Sequence, residues 1–103
     1  MIRHNVHLRF KPGVTQDQKA ALYAALAGVS DPIDGMLDFQ HRKNESPETP
    51  LVRGFDDMFW MDFKDAKVRD AYLVHPLHIE IAGRLLPQIE GGAAGVFVCD
   101  VEK

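Results

Sequence analysis

Polar and apolar residues alternate from Ile2 to Phe10, placing Ile2, His4, Val6, Leu8 and Phe10 on one side and Arg3, Asn5, His7 and Arg9 on the other. A period of two predicts a strand with one covered face. Pro12-Gly13 ends it, Thr15 offers an N-cap hydroxyl, Gln18 completes a capping-box pattern, and Val14 is the apolar residue just outside. The helix that follows runs to about Ala27, with Leu22, Ala25, Leu26 and Val29 as its apolar stripe and Gly28 placed to stop it.

Beyond the turn residues Ser30 to Gly35, Met36 to Arg42 reads as a short strand, with Leu37, Phe39 and His41 on one side and Met36, Asp38 and Gln40 on the other. Asn44 to Pro50 is a polar loop with two prolines, continued by Leu51 to Gly54. Phe55 to Phe63 is the third strand: Phe55, Asp57, Phe59, Met61 and Phe63 share one face, and Asp56, Met58, Trp60 and Asp62 the other. Asp65 is placed to cap a helix to about Val74 that turns Val68, Ala71 and Tyr72 inward. His75-Pro76 interrupts it, and Pro76 starts a further helix covered along Ile79, Ala82, Leu85 and Leu86. In the last strand, Gly95 to Val101, Val96 and Val98 oppose Phe97, Cys99 and Val101.

The order strand, helix, strand, strand, helix pair, strand predicts a single α+β domain over residues 1–103. Its pattern is the ferredoxin-like α/β sandwich, a four-stranded antiparallel sheet with helices on one face. The opposite face then presents Met58, Trp60, Phe97, Cys99 and Val101, flanked by Met36. So much apolar surface predicts a homodimer through the sheet faces, unless the face assignment slips by one residue or a terminal tail covers it.

The charge pattern narrows the partners. Twelve basic residues are scattered among fifteen acidic ones, for a net charge of −3, and form no stripe able to follow a phosphate backbone, so no nucleic acid is expected. With no long apolar run or basic leader, no membrane partner is expected and a cytoplasmic setting fits best. The lone Cys99 excludes an internal disulfide and reads as a small buried thiol.

Chemistry gathers around a few residues. His4 lies on the covered face of the first strand, either as a core histidine satisfied by a backbone carbonyl or as part of a pocket. In Tyr72-Leu73-Val74-His75-Pro76-Leu77-His78, Tyr72 lies on an inward stripe and His78 enters the first turns of a helix, where the dipole favours a neutral imidazole. Such a ring suits a general base, and a phenol nearby suits a carbonyl or enolate oxygen. His75 reads either as a cap of the helical break or as a pocket residue. Asp57 shares a face with Phe59, where it would orient His4 or complete a metal site with His4, His75 and His78; the His75/His78 spacing alone is a weak metal signal.

These residues resemble the stress-responsive α/β-barrel (Dabb) domain family. The matching pieces are Ile2-Arg3-His4 and Arg9-Phe10-Lys11-Pro12-Gly13, Asn44 to Glu48, Gly54-Phe55-Asp56, Asp70 through His78, and the apolar strand from Val96 to Asp100. The resemblance implies a ferredoxin-like fold that dimerises into an α/β barrel, with a cavity between sheet and helices. One plant member is a polyketide cyclase working without cofactor or metal. By that likeness His78 is the catalytic base, Tyr72 the catalytic residue that binds and orients substrate, and His4 a further pocket histidine. Leu22 and Leu26 replace larger aromatic pocket residues and Asp57 introduces an acid, so with Phe59 and His75 they are expected to line a ligand site of different shape. The function implied is binding of a small apolar or carbonyl-containing molecule with cofactor-independent acid/base chemistry of a cyclase or lyase kind. The contrasting possibility is a noncatalytic protective protein.

Overall fold

The computed structural model describes residues 1–103. Its strands are β1 (Ile2–Leu8), β2 (Met36–Lys43), β3 (Asp57–Phe63) and β4 (Val96–Glu102), and its helices α1 (Gln16–Gly28), α2 (Thr49–Val52), α3 (Ala66–Leu73) and α4 (Pro76–Leu85). All strand pairs are antiparallel, in the order β2-β3-β1-β4. This is the ferredoxin-like sandwich, with α1, α3 and α4 on one face. No helix is long and apolar enough to cross a membrane.

The dimeric α/β barrel expected from the family resemblance is corrected: the sheet is not closed into a barrel. A barrel requires the two edges of a sheet to hydrogen-bond to each other. Here β2 and β4 are the edges at opposite ends of an open sheet, and helices, not further strands, cover its inner face.

Caps fix where the helices begin. Thr15 Oγ1 accepts from Gln18 N–H at 3.1 Å while Gln18 Oε1 accepts from Thr15 N–H at 2.8 Å, the reciprocal capping box. Asp65 Oδ1 accepts from Val68 N–H at 3.0 Å to start α3. His75 Nδ1 accepts from Leu77 N–H at 3.2 Å to start α4, with Pro76 in its first turn.

The core lies between the helices and the inner faces of β1, β2 and β3. Leu8, Met61, Phe63 and Ile89 are fully buried, joined by Val6, Leu22, Leu26 and Phe59. Truncating Met61 to Ala would cost about 3 kcal/mol, the usual toll of removing a buried side chain that neighbours cannot replace. On α4 the buried residues are Ile81 and Leu85, whereas Ile79 is exposed, which corrects the expected stripe. The expected loop from Leu51 to Gly54 includes the end of the short helix α2, and the third strand begins at Asp57, two residues later than expected.

Strand β2 carries the largest departure from simple alternation. Its register against β3 shifts between Leu37 and Gln40, so one extra residue is accommodated there, and Asp38 adopts a left-handed φ of 45°. The bulge turns Met36 inward and buries it, leaves Leu37 exposed, and then returns Phe39 and His41 to the helix side against Phe59 and Tyr23. Met36 therefore does not flank the outer face.

On that outer face Phe97, Val101 and Cys99 are exposed, and Trp60 is half-buried between the guanidinium groups of Arg3 and Arg42. Cys99 is thus not the buried thiol expected. Asp62 is also on this side but is only 2% exposed, because Arg3 Nε and Lys103 Nζ bind its carboxylate at 2.9 and 3.0 Å.

Candidate functional site

A cavity of about 270 Å³ lies between α3, α4 and the inner face of the sheet. Val6, Leu26, Phe59, Leu73, Ala82, Leu85, Leu86, Val96 and Val98 supply its apolar walls, and His4, Tyr72, His78 and Asp100 its polar groups. The helices reach β4 incompletely. Val98 faces inward yet is 51% exposed, and Leu73 and Leu86 beside it are also exposed, so these three form an apolar rim open to solvent.

Strand register brings the first polar pair together. His4 on β1 stands directly opposite Asp100 on β4, and its Nδ1 lies 2.6 Å from Asp100 Oδ1. A carboxylate only accepts, so the bridging proton sits on Nδ1, and whenever the ring is neutral its lone pair is on Nε2. The second carboxylate oxygen accepts from Arg69 Nη1 at 3.2 Å. Buried His4 is therefore satisfied by a side chain and not by a backbone carbonyl.

The second pair comes from the α3–α4 junction. Tyr72, fully buried, points from the last turn of α3, and its ring centroid is 4.3 Å from that of His78 and 6.0 Å from that of His4. Burial pushes the Tyr72 phenol above its ordinary pKa, which keeps it a hydrogen-bond donor. His78 Nδ1–H donates to the Leu73 carbonyl at 3.1 Å, leaving Nε2 with the lone pair. Burial holds the His78 imidazole below its usual range; the Leu73 bond opposes this and the neighbouring His4 adds to it. Its place in the first turn of α4 favours the same neutral form.

Four of the expected residues thus join His78 around one space: Tyr72, His4, Phe59 and Leu26. Three do not. Leu22 is packed in the core, and His75 caps α4 and faces a separate groove beside Pro32 and Val68. Asp57 is opposite Leu8, four pairs along β1 from His4, and is bound by Lys19 Nζ at 3.0 Å. It neither orients His4 nor joins it at a metal site, and no group of three or more His, Cys, Asp or Glu side chains is placed to hold a metal ion.

Asp100 and Arg69 were not among the expected site residues. Alternation in β4 does signal Asp100, since it falls on the same face as Val96 and Val98. Nothing local signals Arg69, whose partner is 31 residues away.

An open antiparallel sheet with helices on one side and a histidine–tyrosine cavity between the layers defines a ferredoxin-like α+β protein. The Stress responsive A/B Barrel Domain (Dabb) family model matches residues 2–103, and the chain belongs to that family. It is similar to the stress-response A/B barrel domain-containing protein HS1 of Arabidopsis thaliana, with 27% identity over 89 residues covering 86% of this chain and 81% of the relative. A dimeric ferredoxin-like protein of unknown function from Jannaschia sp. CCS1 is 29% identical with a TM-score of 0.87, covering 99% of this chain and 98% of that one. A hydroxynitrile lyase from Passiflora edulis superposes with a TM-score of 0.80 over 97% of this chain and 90% of its own; at 19% identity it shows the fold alone.

Proposed function

We propose that the cavity binds a small, largely apolar molecule carrying a carbonyl group, and that His78 and Tyr72 act on it without a cofactor. The observation that carries this reading is a cavity of about 270 Å³ with nine apolar residues in its lining, opening through the apolar rim of Leu73, Leu86 and Val98. An apolar body gains from burial there at about 25 cal/mol per Å². Tyr72 donates to the carbonyl oxygen. His78 Nε2 takes a proton from the adjacent carbon, the C–H electron pair passes into the enolate, and the phenol holds the negative oxygen as it forms.

Acetophenone, whose methyl group is acidified by its carbonyl, is a suitable probe. The protein accelerates deuterium exchange of that methyl group in D2O, and His78→Ala lowers the protein-dependent rate about a hundredfold, within the usual range for a positioned base. Tyr72→Phe lowers it by loss of the oxygen's donor. Wild-type exchange rates in both variants would overturn the assignment.

One observation favours a second reading, a noncatalytic protective protein: both imidazoles already have an internal partner at Nδ1, Asp100 for His4 and Leu73 for His78. Absence of any protein-dependent exchange, together with saturable binding of no small apolar probe, would select it.

We infer in addition that the outer sheet face pairs with a second copy. Phe97 is 56% and Val101 46% exposed there, and the Jannaschia relative is described as dimeric. Covering such side chains stabilises association beyond its entropic cost only when several are buried together. Trp60, held between two arginines, contributes its remaining exposed edge.

A further inference from the structure

Resting on the proposed role of the cavity, we propose that Arg69 is a positioning residue for it: through Asp100, it fixes which nitrogen of His4 is free to meet a ligand. The Arg69–Asp100–His4 chain runs from α3 through β4 to β1, with contacts of 3.2 Å and 2.6 Å at the two oxygens of one carboxylate.

Asp100 needs such an anchor. It lies near the end of β4, an edge strand bonded only to β1, and its side chain is 24% exposed. Held by His4 alone, the carboxylate could rotate toward water, which would compete for its oxygens. Arg69 occupies the second oxygen and blocks that rotation. Arg69 is itself oriented, because its Nε donates to Asp70 Oδ1 at 3.1 Å.

The cation has an electrostatic effect as well. At 2.6 Å the proton between imidazole and carboxylate is closely shared, and a positive charge on the far oxygen disfavours its transfer to Asp100. The proton therefore remains on Nδ1, so in the neutral ring Nε2 is the hydrogen-bond acceptor. A carboxylate that fixes a histidine's tautomer and is in turn held by hydrogen bonds is a general way of orienting a working imidazole. His78, oriented by the Leu73 carbonyl, also presents Nε2 as acceptor. When both rings are neutral their Nε2 atoms accept while Tyr72 donates, and the pocket then favours a ligand with a hydroxyl or enol hydrogen in addition to its carbonyl oxygen.

Imidazole nitrogen chemical shifts test this without reference to turnover. In the wild-type protein, at a pH where the ring is neutral, His4 is expected to show a protonated Nδ1 and an unprotonated Nε2. Asp100→Asn and Arg69→Leu are each expected to shift both signals toward the average of the two tautomers, and Arg69→Lys to restore most of the wild-type pattern. Wild-type His4 signals in Arg69→Leu, with Asp100→Asn clearly shifted, would reduce Arg69 to a surface ion pair and overturn the proposal, as would wild-type signals in both. Failure of acetophenone exchange would overturn the broader reading while leaving this tautomer result intact. A second comparison tests ligand choice: 4-hydroxyacetophenone should bind more tightly than acetophenone in the wild type, and Arg69→Leu should narrow that difference. Equal affinities in the wild type would overturn the inferred ligand preference.

Discussion

Ala82→Leu gives the sharpest test of whether the space beneath α4 is open or packed. Ala82 is partly buried and lines the cavity, so a longer side chain there projects into free volume. Leucine adds three carbons, which at about 0.8 kcal/mol per buried CH2 contribute about 2.4 kcal/mol. Fixing the new side chain costs about 0.8 kcal/mol in rotamer entropy, leaving a stabilisation of about 1.6 kcal/mol. In a domain of this size that raises Tm by about 8 °C. Urea unfolding followed by the fluorescence of Trp60, at one protomer concentration for both proteins, should show a higher midpoint at an unchanged slope. Acetophenone binding should be lost in the same variant, because the new side chain takes the ligand's place. A loss of about 1 to 3 kcal/mol, the penalty of overpacking a filled core, would refute the reasoning.

Four further outcomes rest on the packing and charge. A Cβ at Gly95 would collide with the Glu90 carbonyl and the Ile89 side chain, so Gly95→Ala should destabilise by about 2 kcal/mol or more in the same urea experiment. The hydrogen bond from Arg3, aided by Lys103, holds Asp62 below the usual carboxylate range against the cost of burial; its contribution is thus full above about pH 4 and is lost as pH falls through the folded value. Asp62→Asn should flatten that acid limb, whereas His78, whose folded pKa is also depressed, should account for a stability loss beginning as pH drops below about 6.5, the unfolded value, and absent from His78→Gln. Phe97→Asp should shift the protein toward a single subunit in sedimentation; an unchanged oligomeric state would contradict pairing through the outer face.

Much of the architecture was legible because local signals agreed with one another. Alternation in β1, β3 and β4, the Thr15–Gln18 box, the Asp65 cap and Pro76 all act over a few residues, and each has the predicted role in the structure. The bulge in β2 was not legible, since a single left-handed residue at Asp38 reverses the faces of the strand without altering its composition. The barrel was expected from the family resemblance and from no strand's pattern; a sheet closes only where its two edges meet, and here β2 and β4 stay apart.

The site divides along the same line. Tyr72 and His78 belong to one contiguous stretch, and His4 to a plain alternation, so all three could be placed near one another from sequence. Asp57 shares the inward face of β3 but is removed from His4 by register and claimed by Lys19. The bond between Arg69 and Asp100 links α3 to β4 and emerges only when the chain is folded.

The most direct measurement is an NMR titration of the wild-type protein with acetophenone. The account predicts saturable shifts confined to residues around the cavity, led by Tyr72, His78, Leu86 and Val98, and weakened in Tyr72→Phe. Shifts elsewhere on the molecule, or none at concentrations that saturate a weak site, would contradict a ligand cavity between α4 and the sheet.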